Sequence, residues 1–232
     1  MPKPTLTVLS GAGISAESGV RTFRDNNGLW EDHDVMDVAT PEGWRKDRAL
    51  VNRFYNARRA QLKEVDPNAG HRALVRLEER YLVHVVTQNV DDLHERAGST
   101  NVLHLHGELR KVRSTNDPSL VYDWDGDLTD DDRCARGSRL RPHIVWFGED
   151  VPLLGDAAAL VAESDVVIVV GTSMQVYPAA GLVGLAPTEA DVYYVDPHPT
   201  INHELGLRQN LRVIEATAAT ALPKLVDSLL GA

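Results

Sequence analysis

Residues 6–30, LTVLSGAGISAESGVRTFRDNNGLW, constrain the fold of this chain more than any other stretch. An apolar, β-branched run at residues 6–9 breaks into Gly11-Ala12-Gly13, the pattern of a buried strand that turns tightly into a helix. Paired glycines let a backbone come close to something bulky. A helix starting at Ile14 would offer free N–H groups and a positive dipole end at the same place, a common seat for phosphates. The spacing Gly11-x-Gly13-x-x-Ala16 fits the alanine-ended form of the dinucleotide fingerprint, although a plain tight turn has the same spelling. In dinucleotide dehydrogenases the next strand follows quickly and brings an acid for the ribose about twenty residues on. Here residues 18–25 form instead a polar stretch holding Arg21, Phe23 and Arg24. Such a loop would cover whatever binds at the glycines and exclude water from it, which makes hydride transfer the poorer reading.

Beyond this stretch the periodicity alternates. Residues 30–65 read as a helical insertion, with Trp44, Leu50, Phe54 and Leu62 among its apolar positions. Residues 68–80 read as an amphipathic helix with Ala69, Leu74 and Leu77 inward, leading into a strand at 82–86. A short strand follows at 102–105. Residues 108–139 are rich in Asp, Ser and Gly, too polar to be core, and read as a second insertion. The almost wholly apolar run 165–170 belongs in the middle of a parallel sheet. Strands at 191–195 and 211–214 and a helix at 217–230 complete the chain. Strands alternating with helices imply the α/β class and a doubly wound parallel sheet. No linker or repeat divides residues 1–232, so a single domain is expected.

Sites in such sheets lie beyond the carboxyl ends of the strands. Four segments fall there: Gly11 to Gly13, then Gln88-Asn89-Val90-Asp91, then His106, then Gly171-Thr172-Ser173. One crevice could hold them all. Asn89 and Asp91 would serve equally well as caps of the next helix, and Gly171-Thr172-Ser173 could simply cap the segment after its strand. His104 and His106 alternate along a strand and so would share a face; a metal pair there would need carboxylate or thiolate partners. One of the two could be a satisfied core histidine, while a histidine followed by glycine at a strand end, neutral near pH 7, suits a general base.

The formal charge of −10 argues against a nucleic-acid or anionic-membrane binder and leaves a surface that tolerates basic, lysine-rich proteins. No apolar run approaches the length of a membrane span, and the opening Met-Pro-Lys-Pro has no apolar leader core, so a cytoplasmic location is expected. The single cysteine, Cys134, excludes an internal disulfide and a cysteine-cluster metal site.

GAGISAESGVRTFR, Thr87-Gln88-Asn89-Val90-Asp91, Leu105-His106-Gly107, residues 141–149 (RPHIVWFGE) and Gly171-Thr172-Ser173 together resemble the ordered motif set of the sirtuins, most nearly the bacterial deacylases. The resemblance implies a Rossmann-like large lobe (residues 1–29, 66–107 and 140–232) with a small lobe made of the helical insertion 30–65 and the insertion 108–139. It implies NAD as cofactor, held by Gly11, Ala12, Gly13, Ser15, Phe23, Arg24, Gln88, Asn89, Val90, Asp91, Gly171, Thr172, Ser173, Asp196 and Ala218. Catalysis would fall to His106 as base, with Asn89 and Asp91 at the nicotinamide and its ribose. The implied reaction removes an acyl group from protein lysine and yields nicotinamide and acyl-ADP-ribose; ADP-ribose transfer to protein, or NAD binding without turnover, are the alternatives. Val145, Phe147, Gly148 and Glu149 would offer an edge for the substrate peptide. The only partners implied are acylated lysines of proteins, with no obligate protein partner.

Two departures and one further match sharpen this resemblance. Asp196 stands where the family usually places Asn; it still accepts ribose hydroxyls but would repel a 2′-phosphate, which favours NAD over NADP. The insertion 108–139 lacks the family's four zinc cysteines, with Ser114 about where one would stand, so no zinc is expected and Val121, Tyr122 and Trp124 should pack in its place. Tyr55 and Arg58, three residues apart on one helix face, match the pair by which desuccinylating and demalonylating sirtuins hold an acyl carboxylate. The spacing alone also suits a core tyrosine beside a solvated arginine.

Overall fold

The computed structural model describes residues 2–21 and 29–231. In chain order the elements are β1 (Thr5–Ser10), α1 (Gly13–Ala16), β2 (Leu29–Trp30), β3 (His33–Asp34), α2 (Val35–Val38), α3 (Pro41–Lys46), α4 (Arg48–Gln61), α5 (Ala69–Arg76), β4 (Leu82–Thr87), α6 (Leu93–Ala97) and β5 (Val102–His104). There follow β6 (Gly107–Ser114), β7 (Val121–Asp123), β8 (Leu140–Ile144), α7 (Leu154–Ala162), β9 (Val166–Val170), β10 (Asp191–Val195), α8 (His203–Gly206), β11 (Leu211–Ile214) and α9 (Ala218–Leu230).

Six strands form one parallel sheet in the order β11-β10-β9-β1-β4-β5. Strand β1 sits in its middle, with Leu6 opposite Val83 on one side and Val166 on the other. The chain builds outward from β1 to β4 and β5, then returns to lay β9, β10 and β11 on the opposite flank. The switch point therefore lies between β1 and β9, where a crevice opens at the strands' carboxyl ends. Both faces are covered, which is why β9 reads as unbroken apolar sequence and is buried throughout. Leu6, Val8 and Ile168 pack with Leu74 of α5 and Leu222 of α9 on one face. Leu9, Val167 and Val169 pack with Ala157 and Val161 of α7 on the other.

The structure alters three readings made from periodicity and composition. The helical insertion opens with a two-residue antiparallel hairpin, β2 and β3, before its helices begin; strands this short carry no periodic signal. Caps set the helix starts, Thr40 Oγ1 accepting from the Gly43 amide (2.9 Å) and Asp47 Oδ1 from the Leu50 amide (2.9 Å). In α5, Ala69 is exposed and Ala73, one turn on, joins Leu74 and Leu77 in the core. Third, residues 108–139 share a separate small core with β8: β6 pairs antiparallel with β7 and β8, and Val112, Leu128 and Cys134 are buried together with Leu140. Tyr122 and Trp124 pack against that cluster as expected, while Val121 is exposed. The buried Ser114 Oγ accepts from the amides of Asn116 (3.3 Å) and Asp117 (3.2 Å).

The helical insertion and the end of β8 share one core. Val51, Phe54 and Tyr55 of α4 pack with Ile144, Trp146 and Leu109. The two insertions thus meet each other beside the crevice.

Candidate functional site

The floor of the crevice is a lock between two turns. A Cβ at Gly13 would lie 2.7 Å from Gly171 Cα, and one at Gly11 would lie 2.8 Å from the Gly171 carbonyl oxygen. Gly171 in turn has φ +63, and a Cβ there would meet the Ile14 amide nitrogen at 2.3 Å. The glycines expected to admit a ligand are thus first required for the β1 turn to approach the β9 turn. The phosphate seat also changes: α1 is a single turn, and the amides of Gly11, Gly13, Ile14 and Ser15 donate to the carbonyls of Val170, Gly171, Gly11 and Ala12. Ala12 is the residue of this turn whose amide is not so engaged among the described residues.

Behind the floor, Asn89 and Asp91 leave the end of β4 and turn inward, each buried. Ser15 Oγ joins them, donating to Asp91 Oδ2 at 2.9 Å and lying 3.2 Å from Asn89 Nδ2, which donates to it. Asp91 Oδ1 also accepts from the Leu93 amide at 3.1 Å. Burial raises the Asp91 carboxyl above its ordinary value, against the Leu93 amide and the Ser15 hydroxyl, which favour the charged form. A second layer braces this set: the Asn89 amide donates to Thr87 Oγ1 (3.0 Å), and Ser10 Oγ donates to the same oxygen (2.9 Å).

His106 lies in the turn between β5 and β6. Its Nδ1 is 3.1 Å from the Gln88 carbonyl oxygen, which only accepts, so Nδ1 carries the proton and Nε2 keeps its lone pair. Burial lowers its pKa from the ordinary 6.5, with the Gln88 carbonyl pulling the other way. His104 differs. Its Nδ1 faces the Asn89 carbonyl at 2.9 Å and its Nε2 faces Glu95 Oε1 at 2.7 Å, so both nitrogens donate. Burial opposes the charged ring, but the Glu95 hydrogen bond and charge outweigh it and raise the pKa. The carboxylate partner that the local sequence did not reveal comes from α6, and it makes His104 a clamp on the Asn89 backbone. Among the described residues no cluster of three or more His, Cys, Asp or Glu is arranged to hold a metal ion. Cys134 with the Ser114 hydroxyl supplies one thiolate, which does not fit tetrahedral zinc.

On the β9 side, Thr172 Oγ1 accepts from Gln88 Nε2 at 3.3 Å, tying this turn to the β4 turn across β1, and Ser173 stands half-buried beside it. Val90 is also half-buried. Asp196 follows β10 and is buried, with Oδ1 accepting from the His198 amide at 2.9 Å. Ala218, also buried, opens α9. Phe23 and Arg24 lie outside the described residues, as does half of the expected covering loop, residues 22–25.

The far end of the site joins the two insertions. Tyr55 is fully buried; its hydroxyl accepts from Trp146 Nε1 at 3.0 Å, and burial raises its pKa, against the Trp146 hydrogen bond. Arg58 lies one turn on and pairs with Glu31, a residue the sequence reading left out. The stretch expected as a strand edge is a turn, because β8 stops at Ile144. The Val145 amide donates to the His106 carbonyl (2.9 Å) and the Phe147 amide to that of Ala39 (2.9 Å). Gly148 has φ +86 in open space and Phe147 is exposed. Glu149 turns inward, where it accepts from Arg141 (2.6 and 3.0 Å), Arg113 (3.3 Å) and the Trp146 amide (2.9 Å).

A parallel sheet with its polar residues gathered at the switch point places the chain among the Rossmann-like α/β nucleotide-binding proteins. It belongs to the Sir2 family, whose model matches residues 11–178. It is 55% identical over 225 residues to an NAD-dependent protein deacylase of Helicobacter pylori, covering 97% of each chain. To another of that description from Bacteroides thetaiotaomicron it is 47% identical over 233 residues, covering 98% of each. Among solved structures it is similar to a Sir2 homolog–NAD complex, with TM-score 0.87 and 36% identity over 99% of this chain and 90% of that one. A Sir2 complex with p53 peptide and NAD gives TM-score 0.77 and 28% identity, covering 99% and 94%.

Proposed function

We propose that this protein is an NAD-dependent protein-lysine deacylase that removes succinyl and malonyl groups and, more weakly, acetyl groups. The observation that carries the reading is His106: a neutral imidazole whose proton is held on Nδ1 by the Gln88 carbonyl, leaving Nε2 to take a proton. NAD, when bound, supplies the ribose carbon that receives the acyl oxygen and a nicotinamide leaving group. Asn89 and Asp91 bind the nicotinamide amide and ribose, and Ser15 between them keeps both side chains fixed before the cofactor arrives. His106 Nε2 accepts the ribose hydroxyl proton. Asp196 accepts the adenosine ribose hydroxyls, and the turns at Gly11 to Gly13 and Gly171 to Ser173 line the phosphates.

Arg58 and Tyr55 receive the distal carboxylate of the acyl chain. Arg58 Nε and Nη1 are buried without hydrogen-bond partners among the described residues, and a carboxylate acceptor would satisfy them. The acylated lysine and its peptide lie along Val145 to Gly148, with Glu149 bracing the turn from behind. We read the chain as one domain, with a Rossmann-like lobe of residues 1–29, 66–107 and 140–232 and insertions at 30–65 and 108–139, working in the cytoplasm on acylated proteins and needing no obligate partner.

Incubation with NAD and succinyl-, malonyl- and acetyl-lysine peptides, followed by mass spectrometry, tests this. Nicotinamide and acyl-ADP-ribose are the expected products. ADP-ribose attached to protein would instead select a transferase, and no nicotinamide release would leave an NAD-binding module.

A further inference from the structure

Arg58 does not face an empty pocket. The Glu31 carboxylate lies 2.9 Å from its Nη1, and the two side chains are 11% and 18% exposed respectively. Glu31 and Asp32 form the two-residue loop of the β2–β3 hairpin, with φ +50 and +66. Left-handed positions of this kind normally fall to Asn, Asp or Gly, so a glutamate there is unusual.

We propose that Glu31 is an internal competitor for Arg58: its carboxylate occupies the guanidinium until an acidic acyl group displaces it, and so sets the balance between acidic and neutral acyl substrates. The inference rests on Arg58 being the receiver of the acyl carboxylate. Three observations carry it. First, the pair is close but poorly aligned, because Arg58 Nε and Nη1 have no hydrogen-bond partner among the described residues despite the 2.9 Å approach. A substrate carboxylate that aligned with these donors would bind more strongly than Glu31 does. Second, the same Glu31 oxygen is 3.9 Å from Arg21 Nη1, and Arg21 is 60% exposed. Glu31 therefore has a solvated cation, shared with Asp32 at 3.5 Å, to turn to when displaced. Third, the hairpin is pinned by Trp30, whose ring meets Phe54 at 5.0 Å and Tyr55 at 6.0 Å, so the exchange needs only the Glu31 side chain to turn.

The consequence for selectivity follows from charge. With a neutral acyl chain bound, Glu31 stays and Arg58 is not left as an unpaired buried cation, so acetyl-lysine is tolerated. A succinyl chain brings a second carboxylate beside Glu31, and only molecules in which Glu31 has turned away bind it well. Its apparent affinity falls by the fraction of molecules that are competent.

The test compares kcat/KM for succinyl- and acetyl-lysine peptides in the wild type, Glu31→Gln, Arg58→Met and the double variant, at saturating NAD and with thermal melts of each. Removing the competing charge should raise the succinyl-to-acetyl ratio in Glu31→Gln by roughly tenfold, through a lower KM for succinyl-lysine, if Arg58 is free in about a tenth of wild-type molecules. Arg58→Met should lower the ratio, and Glu31→Gln should add nothing in that background. If Arg58→Met lowers the ratio while Glu31→Gln leaves it unchanged or reduces it, Glu31 is not a competitor, although the acyl pocket stands. Loss of both activities together in Glu31→Gln marks a hairpin brace and overturns the proposal. An unchanged ratio in Arg58→Met removes the acyl-carboxylate reading and the competitor with it.

Discussion

The Gln88 carbonyl oxygen lies 3.1 Å from His106 Nδ1, and this contact determines which face of the imidazole is free to react. A carbonyl cannot donate, so the ring proton stays on Nδ1 and the basic nitrogen is Nε2. Burial lowers the pKa below 6.5, which keeps the base neutral at pH 7. Replacing His106 by Ala should therefore lower the deacylation rate by about a hundred- to ten-thousand-fold. NAD affinity by calorimetry should stay close to wild type, because a base acts on the reaction. Normal turnover in this variant would remove the mechanism.

The same shift fixes a pH dependence. On the proposed mechanism the active form of His106 is the neutral one, and its pKa is depressed, so the acid limb of kcat/KM should be centred below 6.5. An acid limb of kcat/KM centred above 6.5 would assign the essential base to another group.

Asp196 bears on cofactor choice. It is buried at the carboxyl end of β10, where a 2′-phosphate would meet a carboxylate it could not displace towards water. NAD should bind, and NADP should bind at least about tenfold more weakly, the cost of a like-charge contact of about 1.4 kcal/mol. Comparable dissociation constants by calorimetry would contradict this.

What could be read from the sequence, and what could not, divides along a physical line. The sheet was legible because residues buried on both faces, such as Val166 to Val170, are apolar whatever their partners. The site motifs were legible because they fall at strand ends. Contacts made across the fold were not: nothing local announces that Gly13 must clear Gly171, that Glu95 meets His104, or that Glu149 turns inward to Arg141. The small core that residues 108–139 share with β8 was not legible for a related reason. Val112, Leu128 and Cys134 are spread along a polar segment and meet each other and Leu140 of β8 only when it folds back on itself.

That small core also motivates a prediction about metal. Cys134 is the only cysteine of the chain, and Ser114 fills the neighbouring position with a hydroxyl that caps a turn. Elemental analysis of the purified protein should find far less than one zinc per chain, and chelators should not lower its melting temperature. One equivalent of tightly held zinc would refute it.

Arg58→Met separates the acyl-pocket reading from a plain deacetylase. The guanidinium sits 5.6 Å over the Phe54 ring, so the Met side chain retains apolar packing while losing the charge. Desuccinylation should fall by roughly a hundredfold, the cost of a lost charge-assisted pair, with deacetylation changed by less than about threefold. Equal loss of both activities would make Arg58 scaffold.

The last prediction concerns the lock between the two turns. Gly171→Ala combines two penalties, since residue 171 has φ +63 and the new Cβ would fall 2.3 Å from the Ile14 amide nitrogen, a backbone atom that cannot swing aside. A left-handed non-glycine costs about 1 kcal/mol or more, and overpacking against fixed backbone about 1–3 kcal/mol beyond that. Gly137→Ala is the matched control. Its φ is +78, but nothing lies within 4 Å of the added Cβ, so only the conformational penalty applies. Denaturant unfolding should therefore show Gly171→Ala destabilised by about 2–4 kcal/mol and Gly137→Ala by about 1 kcal/mol. Because the β1 turn would have to shift away from β9, Gly171→Ala should also weaken NAD binding, whereas Gly137→Ala should leave it unchanged. Equal destabilisation in the two variants would mean that the turns can separate at no cost and that no lock joins them.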